Sequence, residues 1–157
     1  MKKSMLENKR ILAVDDEPDV LSLLEEEINA ECSNCQFDKA TTYEEAARML
    51  RENIYDIVVL DIMGVRGFDL LDLATSLNFK TAMLTSHALS TETLKKSHDL
   101  GARAYLPKEK LGEIVPFLED MLQYDAKSGW KRLLEKLENF YEDRFESGWK
   151  EKIGFWY

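Results

Sequence analysis

Five polar side chains follow short apolar stretches of this 157-residue sequence. Asp15 and Asp16 follow the first stretch, Asp61 the second and Thr85 the third, and Lys108 stands shortly after the fourth. If these stretches are parallel strands, their carboxyl ends lie along one edge of a sheet, where such folds bind ligands. Three neighbouring carboxylates repel one another unless a cation lies among them. We therefore expect a cation site with a hydroxyl group and an amine beside it.

The donor types at this edge indicate a hard divalent cation. Mg²⁺ keeps several of its waters and binds one or two carboxylates together with phosphate oxygens. A soft-metal site is disfavoured, because the only histidine or cysteine near these positions is His87, two residues past Thr85. A carboxylate beside Mg²⁺ is also a competent nucleophile for phosphoryl transfer. A lysine then neutralises the transferred group, and a hydroxyl donates a hydrogen bond to it.

The apolar stretches have the length and composition of buried strands. Short, nearly unbroken apolar runs suit strands that are covered on both faces of a parallel sheet, whereas polar alternation suits an edge strand. The buried strands are predicted at Ile11–Val14, Ile57–Leu60, Thr81–Leu84 and Ala104–Leu106. Gln36–Ala40 alternates and is predicted to be an edge strand.

Helical patterns lie between and after these strands. Pro18 suits the first turn of a helix after an acidic cap, and Thr42 with Glu45 forms a capping box at the start of the next helix. Further helices are predicted from Asp69 to Leu77, from Ser90 to Leu100 (largely exposed) and from about Gly112 to Tyr124. Five successive βα units predict an α/β fold, with a doubly wound, mostly parallel sheet and helices on both faces.

Four segments together resemble the receiver domain of two-component response regulators. They are Val14–Pro18, Leu60–Met63, Leu84–Ser86 and Gly101–Lys108. The resemblance covers about residues 9–125, and the key positions occur in the family's order. It implies a flavodoxin-like fold of the CheY-like superfamily, with five parallel strands in the order 2-1-3-4-5.

The resemblance implies a role for each acidic residue at the sheet edge. Asp61 would accept a phosphoryl group from a histidine kinase, a phosphotransfer protein or a small phosphodonor, and would also be a ligand of Mg²⁺. Asp16 would ligate Mg²⁺ directly, Asp15 would act mainly through water, and the backbone carbonyl of Met63 would complete the metal site. Apart from this self-directed phosphoryl acceptance and autodephosphorylation, no enzymatic activity is expected.

The resemblance also implies how phosphorylation would be transmitted. Thr85 and Lys108 would bind the phosphoryl oxygens. Tyr105, three residues before Lys108, would change its rotamer together with Thr85. This switch would couple the site to the face formed by the fourth helix, the fifth strand and the fifth helix, and a downstream protein would read that face.

Two segments depart from the family's pattern. The loop after Asp61, which begins Ile62-Met63-Gly64, is about two residues shorter than usual and lacks the family's proline. Pro107 precedes Lys108, whereas the family has its proline after the lysine, so the usual cis bond after the lysine cannot form. These departures are the support for an alternative, a receiver-like adaptor that works without phosphorylation.

A second alternative is a metal-dependent phosphatase with an aspartyl nucleophile. The haloacid dehalogenase-like hydrolases place that nucleophile at the end of the first strand, with a second aspartate two residues on. Here Asp15 and Asp16 are adjacent, and the best nucleophile candidate, Asp61, follows a later strand. The arrangement therefore disfavours this class.

The acidic excess belongs to the first 125 residues. The sequence has 21 Lys and Arg against 30 Asp and Glu, a net charge of −9, of which residues 1–125 carry −10 and residues 126–157 carry +1. An acidic surface argues against nucleic-acid binding. No apolar run approaches the ~20 residues that cross a bilayer. The N-terminus shows no signal-peptide pattern, and we expect a cytoplasmic location.

The cysteines and histidines outside the predicted site are interpreted as structural or surface residues. Cys32 and Cys35 form a C-x-x-C pair in a turn before the edge strand. Zinc needs four ligands, and neither metal nor redox chemistry is expected of an isolated pair. His87 is expected at the mouth of the site as a surface residue, with tuning of phosphoryl lifetime as the alternative. His98 lies in the exposed helix, and no role is expected for it.

We expect a receiver domain over residues 1–125 and an amphipathic helical extension over residues 126–157. Ala126–Gly129 is interpreted as a break, after which Trp130 begins a helix with one apolar stripe. The stripe consists of Trp130, Leu133, Leu134, Leu137, Phe140, Tyr141 and Phe145. The extension is too short and too neutral for a separate DNA-binding output domain.

The stripe must be buried, because a single exposed helix of this kind is not stable in water. Three partners are open: the receiver of the same chain, a second copy of the chain, and a membrane surface or other protein. We expect docking on or near the face of the fourth helix, fifth strand and fifth helix, or a homodimer through residues 130–157 or through that face. All three tryptophans lie in the extension, so tryptophan fluorescence should report its docking.

Overall fold

The computed structural model describes residues 3–157, so the first two residues of the predicted receiver segment lie outside the described part of the chain. The strands are β1 (Arg10–Val14), β2 (Gln36–Ala40), β3 (Ile57–Asp61), β4 (Lys80–Thr85) and β5 (Ala104–Pro107). All neighbouring strands pair in parallel, in the order β2-β1-β3-β4-β5. The predicted α/β fold and strand order are confirmed.

The helices are α1 (Pro18–Glu31), α2 (Tyr43–Glu52), α3 (Gly67–Ser76), α4 (Thr91–Asp99), α5 (Ile114–Gln123), α6 (Ala126–Arg144) and α7 (Trp149–Ile153). A 3₁₀ helix, Lys108–Glu113, precedes α5. The predicted caps of α2 and α4 are present: Thr42 accepts a hydrogen bond from the backbone N–H of Glu45, and Ser90 accepts one from that of Thr93. Within residues 3–157, no helix has the length and apolarity that a membrane span requires.

The sheet core follows the apolar stretches of the sequence. Every residue of β3 is buried, as are the last four residues of β1, whereas β2 is half exposed at the edge of the sheet. Helix α1 contacts α5, and α2 contacts α3, so that helices form a layer on each face of the sheet. This arrangement holds the carboxyl ends of the central strands in fixed relative positions.

Three predicted helix starts are wrong. Helix α3 begins at Gly67, two residues before the predicted Asp69. Helix α5 begins at Ile114 rather than near Gly112, because the chain first completes the 3₁₀ helix and Pro116 then falls in the first turn of α5. Helix α6 begins at Ala126, where we predicted a break, because the Asp125 side chain caps it by accepting a hydrogen bond from Ser128 N at 2.8 Å. Gly129 within the helix costs only about 1 kcal/mol, which the cap and the buried stripe outweigh.

The extension, residues 126–157, packs against the receiver fold of the same chain. Helix α6 contacts α5 and β5, and α7 contacts α4. Phe145, which we had placed within the helical stripe, follows the last residue of α6. Helix α4, predicted to be largely exposed, instead buries Thr91, Leu94 and Ser97. The sequence pattern of α4 alone did not show that a later segment would cover it.

Candidate functional site

The five predicted site residues stand at the carboxyl ends of four strands. Asp15 and Asp16 follow β1, Asp61 ends β3, Thr85 ends β4, and Lys108 follows β5. Parallel register places Asp61 beside the end of β4 and Thr85 beside the end of β5. The topology of the sheet therefore brings together residues that are up to 93 positions apart in the chain.

The three aspartates form a compact cluster of oxygen donors. Asp15, Asp16 and Asp61 each offer one carboxylate oxygen, and these oxygens lie within 4.8 Å of one another. Asp15 and Asp61 are buried, whereas Asp16 is exposed. Oδ2 of Asp15 is buried, and its partner is Lys108 Nζ, 2.9 Å away. A cluster of three carboxylates, two of them buried and all opposed by one ammonium group, fits a divalent cation such as Mg²⁺.

Lys108 is the positive centre of the site. Its Nζ lies 2.9 Å from Asp15 Oδ2, 3.1 Å from Glu17 Oε1 and 3.4 Å from Asp61 Oδ1. Burial alone would lower the pKa of Lys108, but the hydrogen bond to Asp15 and the charge of Asp61 raise it above its ordinary value. The ammonium group is therefore charged at any physiological pH. Lys108 reaches the acidic residues even though Pro107 precedes it instead of following it.

Burial raises the pKa values of the two buried aspartates as well. Burial, together with the charge of Asp15, raises the pKa of Asp61 to about 6, although Lys108 opposes the shift. Burial also raises the pKa of Asp15 against the hydrogen bond from Lys108. Asp61 is thus mostly ionised at neutral pH and becomes protonated in mildly acidic solution.

The short loop after β3 passes close to the Asp16 carboxylate and to the backbone of Asp61. Gly64 has φ +87°, and a Cβ there would lie 2.4 Å from Asp16 Oδ2. At Gly67 a Cβ would lie 2.1 Å from the backbone oxygen of Asp61. Met63, directly before Gly64, has a largely exposed side chain and lines the cavity over the site. Both glycines are therefore needed for the loop to approach the acidic cluster.

Thr85 and Tyr105 are connected through the loop between β4 and α4. Thr85 is buried, and its Oγ1 accepts a hydrogen bond from Ala88 N at 3.2 Å, which leaves its own proton free to donate. Tyr105 is completely buried, its hydroxyl lies 2.7 Å from that of Thr93, and it accepts a hydrogen bond from Ser90 N at 3.1 Å. The hydroxyls of Thr85, at the site, and of Tyr105, in β5, are thus both hydrogen-bonded to the loop between β4 and α4.

The structure also shows contacts that the sequence analysis missed. Glu17 reaches Lys108, and its position directly after the aspartate pair was the available signal. Cys32 and Cys35 are joined by a disulfide bond in the α1–β2 turn. His98 stacks on Phe155 with ring centroids 3.6 Å apart. His87 lines the cavity over the site, at the predicted position.

Curated relatives with similar sequences are response regulators. "Two-component response regulator ARR18" of Arabidopsis thaliana is 34% identical over 105 residues, which cover 63% of this chain and 16% of that protein. "Two-component response regulator ORR24" of Oryza sativa subsp. japonica is 35% identical over 106 residues, with the same coverage of 63% and 16%. The chain thus matches only 16% of the length of these relatives.

Two solved structures of response regulators have a similar fold. A CheY-like response regulator receiver domain protein of Methanospirillum hungatei has a TM-score of 0.58 at 24% identity, over 86% of this chain and 98% of that one. A LuxR-family two-component response regulator of Aurantimonas sp. has a TM-score of 0.66 at 23% identity, over 82% and 97%. At this identity the likeness shows the fold. The sequence model of the response regulator receiver domain matches residues 11–118, which is more than half of the chain. The chain therefore belongs to the response regulator receiver domain family.

Proposed function

We propose that Asp61 is the phosphoacceptor of a two-component phosphorelay and that the chain signals by a conformational switch read by another protein. The observation that carries this proposal is the buried Asp61 carboxylate, clustered with two further aspartates and 3.4 Å from Lys108 Nζ. The phosphoryl donor is a histidine kinase or a phosphotransfer protein in the cytoplasm. No substrate other than Asp61 itself is expected to be turned over.

The residues of the site have distinct tasks in the proposed transfer. A carboxylate oxygen of Asp61 attacks phosphorus, the new O–P bond forms, and the bond between phosphorus and the donor breaks. The Lys108 ammonium neutralises charge on the transferred group. The Thr85 hydroxyl, whose proton is uncommitted to Ala88, donates a hydrogen bond to a phosphoryl oxygen.

Asp15, Asp16, Asp61 and the backbone carbonyl of Met63 would hold Mg²⁺. When bound, the ion supplies charge neutralisation for the carboxylates and for the phosphoryl oxygens. The chain's own contribution is the set of carboxylate oxygens within 4.8 Å of one another and the close approach of the Gly64 backbone to Asp16.

We further propose that residues 1–125 are the receiver and that residues 126–157 are a regulatory extension without DNA-binding function. Tyr105 couples the site to the face of α4, β5 and α5. A homodimer through that face requires the extension to leave its position on β5, because α6 lies there in the structure. A homodimer through residues 130–157 is the second arrangement that we consider.

Mass spectrometry of the intact protein tests the phosphoacceptor assignment. The protein is incubated with Mg²⁺ and acetyl phosphate or phosphoramidate, and we expect a labile addition of one phosphoryl group. Asp61→Asn should abolish the addition, and Asp72→Asn, a matched change at an exposed acid of α3, should keep it. No addition with either donor would favour the phosphorylation-independent adaptor. Turnover of a phosphomonoester that Asp61→Asn abolishes would favour the phosphatase.

A further inference from the structure

The extension covers the face formed by α4, β5 and α5 of its own chain, here called the α4–β5–α5 face. Trp130 Nε1 donates a hydrogen bond to the backbone oxygen of Ala102 at 2.9 Å. The Tyr141 hydroxyl donates one to the backbone oxygen of Tyr105 at 2.8 Å. Trp130 is 2% exposed and Tyr141 is completely buried. The occupant of this face is therefore a segment of the same chain, held by directional bonds as well as by apolar contact.

A second set of contacts ties the extension to α4. The Glu146 carboxylate accepts a hydrogen bond from the Thr91 hydroxyl at 2.9 Å. Phe155 stacks on His98, and the Tyr157 hydroxyl lies 3.1 Å from His98 Nε2. The extension is thus fixed to β5 and also to the helix that follows the β4–α4 loop. Any movement of that loop relative to β5 strains these contacts.

A chain of hydrogen bonds leads from the site to the extension. Thr85 Oγ1 accepts from Ala88 N, and the Ala88 backbone oxygen accepts from the Thr93 hydroxyl. The Thr93 and Tyr105 hydroxyls share a hydrogen bond of 2.7 Å. The Tyr105 backbone oxygen then accepts from Tyr141 in α6. Thr85 at the site and Tyr141 in the extension therefore belong to one network of hydrogen bonds.

We propose that docking of the extension and phosphorylation of Asp61 oppose one another through this network, so that phosphorylation releases the extension from the α4–β5–α5 face. The inference rests on the proposed function. A phosphoryl group on Asp61 attracts the Thr85 hydroxyl, which draws Thr85 away from Ala88. The loop held by Thr93 then shifts relative to Tyr105, and the contact with Tyr141 weakens.

Coupling of this kind is reciprocal. Phosphoryl binding must weaken docking of the extension by the same factor by which docking weakens phosphoryl binding. Weakening the docked state by a change far from Asp61 should therefore raise the affinity of the site for a phosphoryl mimic. Release would uncover the apolar face of the receiver together with Trp130 and Tyr141 of the extension. That surface is the one a downstream protein would bind.

Hydrogen exchange on the full chain tests the proposal, with Mg²⁺ and beryllofluoride as a stable phosphoryl mimic. We expect amide exchange in residues 126–157 to accelerate by about fivefold or more on adding the mimic, within the usual range of coupling between sites. Tryptophan emission should shift to longer wavelength at the same time. Asp61→Asn should show neither change.

Tyr141→Phe isolates the contact with β5, since it removes the hydroxyl and keeps the ring. This variant should exchange faster in residues 126–157 without the mimic, and it should bind beryllofluoride about fivefold more tightly by reciprocity. Tyr124→Phe, a matched change at the α5–α6 junction, should behave like the wild type.

Two results would overturn the proposal. One is exchange in the extension that stays the same or slows when the mimic binds; the other is a wild-type affinity for beryllofluoride in Tyr141→Phe. If acetyl phosphate labels Asp61 while exchange in the extension is unchanged, only this inference fails. If Asp61 accepts no phosphoryl group and the mimic alters no part of the receiver, the proposed function fails with it.

Discussion

At the scale of single residues, the site is governed by competition for one ammonium group. Lys108 faces Asp15, Asp61 and Glu17 at once, and two of these acids are buried. One positive charge among these acids and Asp16 leaves a net negative site. Burial and this imbalance together raise the pKa of Asp61, and the imbalance also accounts for the expected affinity of the site for a cation.

The raised pKa of Asp61 predicts a specific pH dependence of stability. Its pKa is about 6 in the folded protein against an ordinary value of 3.8, so the folded state binds the proton more readily. Without Mg²⁺ this group should therefore lower the free energy of unfolding as pH rises from about 4 to about 6, by roughly 1–3 kcal/mol in total. The measurement is urea unfolding across this range for the wild type and Asp61→Asn. Parallel profiles for the two proteins would contradict the prediction. At pH 7, Mg²⁺ should restore the lost stability in the wild type.

The contact between Glu17 and Lys108 predicts the effect of removing one competing acid. Glu17→Gln keeps the shape of the side chain and removes a partly exposed charge 3.1 Å from Lys108 Nζ. The ammonium is then freer to contact a phosphoryl group, and we expect the affinity for beryllofluoride to rise about two- to fivefold, a modest effect because the pair is partly solvated. Calorimetric titration measures it, and Glu26→Gln, at an exposed position of α1, is the control. Weaker binding by Glu17→Gln would show that Glu17 instead positions the lysine.

At the scale of elements, the shortened loop after β3 shows how backbone shape serves the site. The loop is about two residues shorter than the family's and lacks its proline. Glycines at two positions let it pass close to Asp16 and to the backbone of Asp61, with Gly64 in the left-handed region. The conformation of this short loop therefore depends on Gly64 and Gly67, which have no side chains.

Gly64→Ala should therefore damage the site more than the fold. A Cβ at this position would lie 2.4 Å from Asp16 Oδ2 and would also occupy a strained backbone conformation. We expect a loss of about 1–2 kcal/mol in stability from the strain. The increase in melting temperature caused by Mg²⁺ should shrink severalfold, because Asp16 is displaced. Gly112→Ala, where a Cβ meets nothing within 4 Å, is the control for a change with no neighbouring contact.

The glycine in α6 predicts the opposite effect. Gly129 lies inside the helix, and a Cβ there meets nothing within 4 Å. Gly129→Ala should raise the free energy of unfolding by about 0.5–1 kcal/mol, because alanine loses less backbone entropy on folding into a helix. Gly148→Ala, at φ +79°, should lower it instead. Urea unfolding compares the two, and a destabilised Gly129→Ala would mean that the start of α6 is not helical in solution.

At the scale of the whole molecule, an acidic receiver carries a nearly neutral, basic-faced helix. Arg132 and Lys136 of α6 contact Asp120 of α5, and Arg144 contacts Glu109. These pairs lie at the rim of the contact, whereas Trp130 and Tyr141 lie at its buried centre. Apolar burial and the two backbone hydrogen bonds should therefore dominate docking, and the ion pairs should set the register of the helix.

This balance predicts that salt does not undock the extension. Raising sodium chloride from low concentration to about 0.5 M screens exposed ion pairs but strengthens apolar association slightly. The tryptophan emission maximum of the unphosphorylated protein should stay constant over this range, since all three tryptophans lie in the extension. A shift to longer wavelength with salt would show that the ion pairs hold the extension in place.

Much of this protein was predictable because its signals are local. Apolar runs of strand length, caps such as Ser90, and acids at strand ends follow from the sequence within a few residues. Alternation of strands and helices then leaves few topologies open, since connections in such folds are short and right-handed. The α/β fold and the convergence of Asp15, Asp61 and Lys108 at one edge were therefore predictable from these signals, and the strand order was implied by the resemblance to receiver domains.

What the tertiary structure decided depends on contacts between distant segments. The stripe of α6 showed that a face must be buried, but an amphipathic pattern carries no information about which surface covers it. The hydroxyl of Tyr141 meets the backbone of Tyr105 across 36 residues, and His98 meets Phe155 across 57. Shape and hydrogen-bond geometry select such partners only once the sheet and its helices are assembled. For that reason the sequence determined which side chains form the site, and the assembled fold determined that the extension lies against the α4–β5–α5 face.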